Sequence, residues 1–417
     1  MLFTFQPHSE WSQTQKWAFR FVALYSWLYI LMMFGGSRLF KPLTVWLGRD
    51  VLGIEGRYEF FATGSGDTTM AYAGLFTQLI LVVLGTVLWS VLDRKRRSYN
   101  AAFYWYTVIL RIFLVFFMFT YGFAKIYKSQ FAGPSLLRLL QPIGDMSPMG
   151  LAWTYMAQSE GFNMFTGFME VLGGLLLIPK RTQALGGIVV FGVMLQIFMM
   201  NMFYDIPVKL FSAHLMLFGL LIFVADWKRF SHVFIKNKPT EAVEYYKPTK
   251  DPVYHTVIMW FKVAGIAILF ALMGYQGYNA EHSFGDKRPK PQYYGIWEAE
   301  EFLKNGDTIA PLITRSDRWR YLVIDRKGYA AVKMMNDSTK RFNFIVDSTG
   351  QSLTMRSRSD TLTESNFTIT QTDSIQLILK GVLDQDSLQI RLRARDLSQI
   401  RLINRGFHWI NETPNNR

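Results

Sequence analysis

Glu170 lies inside the apolar run GFMEVLGGLLLIP at 167–179, which otherwise has the composition of a membrane span. A bare charge at the bilayer centre costs about 2.5 to 3.5 kcal/mol on insertion scales, so a carboxylate there must be paired, protonated or functional. Arg111, Gln196 and His214 fall in comparable runs. From the helical rise, Arg111 lies roughly 12 Å and Glu170 roughly 13 Å from the same end of their spans, with Gln196 and His214 nearer 18 Å. Matching depth makes Arg111 the expected counter-ion of Glu170, because each charge offsets the desolvation of the other. A buried cluster of Arg111, Glu170, Gln196 and His214 has the groups a proton-coupled or quinone-type site needs. Phe113, Phe116, Phe117, Tyr121 and Phe198 are available as its aromatic walls. The competing reading is an ion pair that only locks two helices together.

Lys125, Asp205 and Lys209 are expected at the outer mouth of the same helices, where snorkelling anchors are the plainer account. Lys262 near the inner end of the last apolar run reads the same way. The loop GSGDTT at 64–69 looks like an anion nest but lacks the lysine and strand-to-helix context of a phosphate loop, so Asp67 is expected to sit near a helix N-terminus. Cys is absent, which excludes disulfides, thiolate zinc sites and Cys-ligated clusters. Among the histidines, only His214 lies well within a span, and His255 belongs to the opposite edge, so a bis-histidine haem is disfavoured. No metal or nucleotide motif is present. The net charge of +14 is carried largely by short loops flanking apolar runs, which argues for topology rather than nucleic acid.

The elements that must position these residues are helices of membrane length. Of the 417 residues, 50% are hydrophobic and 16% aromatic, and the apolar ones concentrate in the first two thirds. Runs of about 18 to 23 residues match the thickness of a bilayer and predict seven spans: 17–36, 70–92, 103–125, 161–178, 184–203, 208–225 and 255–275. The first reads as an uncleaved span rather than a signal peptide. Basic clusters at 94–97, at Lys180 and Arg181, and at Lys228, Arg229, Lys236, Lys238, Lys247 and Lys250 all fall on one side. That side is the cytoplasm by the positive-inside rule, which puts the N-terminus inside and everything after the seventh span outside. The bilayer is therefore the first expected partner, in a cytoplasmic (inner) membrane. The segment 128–163, with Pro134, Pro142 and Pro148, is expected to form interfacial or re-entrant helices.

After Tyr275 the composition changes, and 277–295 reads as a linker. In SLQIRLRAR, Leu388, Ile390, Leu392 and Ala394 alternate with polar residues, the period of a strand with one buried face. Similar runs at WRYLVID, YAAVKMM, RFNFIVD, SLTMRS, NFTIT, SIQLILKG and GFHWIN, spaced by turn residues, predict an antiparallel β-barrel of lipocalin-like type over 296–417, with a β-sandwich as the alternative. His408 and Trp409 would close it in the last strand. The expected organisation is thus a two-span segment (1–100), a four-helix core (101–230), a cytoplasmic loop with the last span (231–276), the linker and the barrel.

The segments YGFAK at 121–125, FMEVLGGLLLIPKRTQALGG at 168–187 and DIPVKLFSAHLMLFG at 205–219 together resemble the DoxX-like membrane protein family. The resemblance implies a four-helix membrane core formed by spans three to six, with Gly122, Lys125, Glu170, Gly173, Gly174, Lys180 and Arg181 at the family's marked positions. It also implies an association with quinone-linked oxidoreduction for some relatives. The reading that follows is a bacterial accessory or binding subunit, more a scaffold than an enzyme, whose outward β-domain captures a small apolar ligand or a protein partner. The alternatives are a quinone-linked redox subunit and a transporter using the buried cluster.

Overall fold

The computed structural model describes residues 10–60, 64–240, 246, 249, 251–359 and 364–415. Lys247 and Lys250 of the third basic cluster lie outside them. Helices run over Gln13–Met33 (α1), Lys41–Val45 (α2), Thr69–Leu92 (α3), Asn100–Ile126 (α4), Leu136–Leu139 (α5), Pro148–Gln158 (α6), Glu160–Leu177 (α7), Gln183–Phe203 (α8), Lys209–Ala225 (α9), Trp227–Phe230 (α10), Pro252–Ser283 (α11) and Arg401–Asn404 (α12). The chain divides into two compact units, 1–131 with 160–280, and 132–159 with 281–417.

In the helical unit, α4, α7, α8 and α9 pack in a closed ring; α1 lies against α4, and α3 against α1. Among the described residues four helices, α3, α4, α8 and α11, are long and apolar enough to cross a membrane, and α9 with the bent segment 227–235 would make a fifth. Glycines set the ring. A Cβ on Gly122 would come within 2.6 Å of Val171 and one on Gly167 within 2.5 Å of the Gly122 carbonyl, so α4 and α7 meet backbone to backbone. Gly187 and Gly219 do the same for α8 and α9, where a Cβ on Gly187 would stand 2.9 Å from the Gly219 oxygen. Such small-residue crossings let helices gain dispersion contacts where lipid offers no hydrophobic drive. α11 touches α4 through Phe270, whose ring lies 4.7 Å from Phe123 and 5.3 Å from Phe119.

The second unit is an antiparallel β-barrel. Its strands are Gly295–Lys304 (β1), Asp307–Thr308 (β2), Trp319–Arg326 (β3), Gly328–Met334 (β4), Thr339–Val346 (β5), Ser352–Ser357 (β6), Glu364–Asp373 (β7), Gln376–Leu383 (β8) and Asp386–Ala394 (β9). They pair in the order β2-β1-β3-β4-β5-β6-β7-β8-β9, and β9 returns to β1, so eight strands close and the two-residue β2 hangs on the edge of β1. Closure removes the exposed edges that would otherwise pair with other chains.

Three expectations change here. The strand expected at GFHWIN does not form: this segment is irregular, and Trp409 is 90% exposed. The closing strand is β1, which is not among the expected strands. Its register shifts between Ala299 and Glu301, and this bulge sets Glu300 and Glu301 consecutively on the outside and breaks the two-residue period. Their carboxylates meet Arg393 at 3.3 Å and Arg391 at 3.2 Å across the seam. The linker also begins later than Gly277, because α11 continues to Ser283 with no proline before Pro289 to stop it.

The third change concerns 132–159, whose short helices fold with the barrel rather than with the helical unit. Leu136 is buried against Ile296, Tyr321, Val323 and Ala331 on the outer wall of β1, β3 and β4, with Leu397 and Ile400 beside it. That cover explains why β3 and β4 read as continuous apolar runs while β7 and β9 alternate: the former are buried on both faces. Lys333 fixes the cover by donating to the Leu140 carbonyl at 3.0 Å, and Asp286 accepts from the Gly133 N–H at 2.6 Å.

Inside the barrel, Trp297, Phe302, Trp319, Phe344, Phe367 and Ile390 belong to one buried apolar cluster drawn from every wall. The Trp319 ring stands 6.4 Å from Phe302 and 6.3 Å from Phe367, which fills the space between opposite walls. Trp319→Ala is expected to destabilise the barrel by about 3 to 5 kcal/mol. Trp409→Ala, on an exposed tail, should change it by less than about 0.5 kcal/mol. Urea titration of the full-length protein in detergent, followed by near-ultraviolet circular dichroism, separates the two.

Candidate functional site

The polar residues of the helical unit gather into separate groups rather than one cluster. The expected Arg111–Glu170 pair does not form. Glu170, 1% exposed, accepts from Lys125 Nζ with both carboxylate oxygens, at 2.7 and 2.9 Å. Lys125 is itself buried and does not join Asp205 and Lys209 at the mouth of the ring. The reason is the direction of a helical side chain, which leans toward the N-terminus of its own helix. Lys125 therefore runs back along α4, bringing Nζ within 5.8 Å of the Tyr121 ring centre and level with Glu170. The close Gly122–Gly167 approach brings the two helices near enough for the pair to close.

Arg111 lies eleven residues into α4 and reaches the end of α7. Its Nε donates to the Leu177 carbonyl at 2.5 Å, Nη2 donates to the Ile178 carbonyl, and Nη1 donates to Gln183 Oε1 at 3.3 Å. These carbonyls are the acceptors a helix leaves open at its C-terminus, where its dipole also favours a cation. Arg111 thus caps α7, and counting depth along isolated helices could not show that α7 ends beside it.

His214 sits between α9 and α1. Its Nδ1 lies 2.6 Å from the Leu210 carbonyl, so it must be the protonated nitrogen, and Nε2 accepts from the Tyr25 hydroxyl at 2.7 Å. The Tyr29 ring stacks on the imidazole with centres 3.7 Å apart. Both nitrogens and one face of His214 are therefore engaged. Gln196 is exposed on α8 and joins none of these groups, because its position on the helix turns it away from the ring interior. At the end of the ring, Lys209 pairs with Asp205 at 3.0 Å, and Asp67 accepts from the backbone N–H groups of Lys209 and Leu210 at 2.8 and 3.0 Å. Asp67 caps α9, whereas Thr68 caps α3.

Arg20 is a further buried charge, outside the groups expected from the sequence. It is 2% exposed and donates to the Tyr99 hydroxyl at 2.9 Å, Ser90 Oγ at 2.8 Å and the Asp93 carbonyl at 3.1 Å, joining α1 to the turn between α3 and α4. A charge one turn inside an apolar run is the signal that marks it. No group of three or more metal-ligating side chains occurs among the described residues.

No protein-family profile matches the chain, and no solved structure matches it. A stretch of 139 residues, 33% of this chain, is 31% identical to the uncharacterised protein YwoB of Bacillus subtilis (strain 168) and covers 86% of that protein. Over that stretch the chain belongs to the YwoB family. YwoB is itself uncharacterised, so membership of the YwoB family brings no chemistry to the site.

Replacing either partner of the Lys125–Glu170 pair strands a buried charge. Lys125→Met and Glu170→Gln are each expected to cost about 3 to 5 kcal/mol, with the combined variant recovering most of that loss. Thermal unfolding of the four proteins in one detergent gives the double-mutant cycle.

Proposed function

We propose that the chain is a multi-pass membrane protein of DoxX-like type. In this reading the helical unit anchors a β-barrel on the outer face of the cytoplasmic membrane, and the barrel docks a protein partner. The discontinuous barrel unit carries the reading. Residues 132–159 and 281–415 fold together, so in a bilayer they share one side. Between them run α7, α8, α9 and α11; with the 18-residue α7 taken as a crossing beside α8, α9 and α11, the number is even, as that shared side requires, although α7 is not among the helices whose length and composition alone fit a span. The basic clusters at 94–97, 180–181 and 228–238 then fall on the opposite side, in agreement with the positive-inside rule.

Partner docking is favoured over ligand capture because the barrel interior is filled with side chains, unlike a lipocalin cavity. The wall of β1, β3 and β4 is covered by α5, whereas side chains on the outer face of β5, β7 and β8 are exposed. There the strand register sets Ile345, Thr354 and Asn366 in one row, with Val382 next along it on β8. Ile345 and Val382 are exposed, and the row offers mixed apolar and amide contacts of the kind protein interfaces use. A quinone-linked role gains less support, because His214 is held by Leu210 and Tyr25 and covered by Tyr29.

The absence of native cysteine allows single-cysteine labelling. Ser348→Cys in the barrel is expected to react with a membrane-impermeant maleimide in intact cells, and Lys95→Cys only after permeabilisation. The reverse pattern overturns the orientation. A photo-crosslinker at Ile345 or Val382 should trap one discrete partner, and Ile345→Asp should abolish that adduct. Absence of any adduct from either position overturns the docking role.

A further inference from the structure

Between the C-terminal turn of α7 and α11 runs an open groove of about 730 Å3. Leu175, Ile178 and Pro179 form one wall, and Ile266, Ala267 and Phe270 form the other. It follows α11 from Val263 to Ala271, roughly 12 Å of helix, close to the roughly 15 Å depth of one bilayer leaflet. A cation stands at one end. Lys262, one residue before Val263, is exposed and has no hydrogen-bond or ion-pair partner among the described residues. Arg111, which holds the Ile178 carbonyl, acts on Lys262 as a like charge. Of the acidic groups at that end, Asp226 is hydrogen-bonded to Gln183 and faces Arg229, and Asp251 accepts from the Val253 N–H at the start of α11.

An exposed lysine on an apolar helix requires water or an anion. α11 has 32 residues, roughly 48 Å of helix, about 18 Å more than the hydrocarbon layer, so Lys262 can stand at headgroup level. Trp260, 63% exposed and half a turn away, is the residue type that favours that interface.

We infer that this groove binds an anionic phospholipid of the cytoplasmic leaflet, with one acyl chain along Ile178, Ile266 and Phe270 and the phosphate on Lys262 beside Arg111. The inference rests on the membrane-spanning reading above. Charge complementarity selects the headgroup, and the wholly apolar walls select a lipid over free phosphate.

The test is native mass spectrometry of the full-length protein equilibrated with equal amounts of phosphatidylglycerol and phosphatidylcholine in mixed micelles. The wild type is expected to retain phosphatidylglycerol about fivefold over phosphatidylcholine, the factor one interfacial lysine supplies. Lys262→Gln should remove that preference while lipid is still retained. Ala267→Trp, which fills the groove, should lose one retained lipid of either kind. Excess inorganic phosphate should leave the lipid bound. Equal retention by the wild type, an unchanged preference in Lys262→Gln, an unchanged lipid count in Ala267→Trp, or displacement by phosphate would each overturn the inference. Flotation with phosphatidylglycerol vesicles separates the two levels: protein that floats without headgroup preference fails this inference alone, and protein that does not float fails both.

Discussion

The crossing of α4 over α7 sets the register of the helical unit. Glycine at 122 and 167 lets the two backbones touch, and only at that separation do Lys125 and Glu170 close into a bidentate pair. Once α7 is held there, its last carbonyls fall beside Arg111. The turn that follows brings Gly186 against the backbone of Leu176 and Leu177, and Gly187 then receives α9 at Gly219. Each helix of the ring is thus positioned by the one before it. A buried ion pair adds little net stability over a packed apolar pair, yet a misaligned one is strongly unfavourable, so its contribution is to exclude neighbouring registers.

Buried arginines follow a common pattern. Arg20, Arg111 and Arg318 each place a guanidinium where the backbone leaves carbonyls open. Arg318 donates to the carbonyls of Ile309, Trp319, Ala299 and Glu300 beside β1, Arg111 to the end of α7, and Arg20 to the end of α3. A planar group with five donors can satisfy several carbonyls at once, which a lysine cannot do with the same geometry. The buried Lys125 instead meets one carboxylate, that of Glu170.

Helix positions were legible in the sequence because each apolar run is long and bounded by charge, and most strands were legible from their period. What failed were quantities that depend on a second element. Depth counted along single helices paired Glu170 with Arg111, because the lean of Lys125 and the shortness of α7 are set by packing. Strand β1 was hidden by its bulge at Glu300 and Glu301. The apolar residues of 132–140 looked fit for a bilayer because the wall that covers them lies more than a hundred residues later in the chain. GFHWIN carries the composition of a strand, but β1 had already taken the only free edge of β9.

That separation along the chain also constrains synthesis. Leu136 and its neighbours emerge from the ribosome long before β3 and β4, and the barrel cannot close until β9 is complete. At about 5 to 20 residues per second, the interval is roughly 10 to 50 s, during which an apolar strip has no surface to cover it. The nascent protein is therefore at its most vulnerable to aggregation and proteolysis between the fourth and the last helix, and a chaperone acting on that window would govern yield more than any change in final stability.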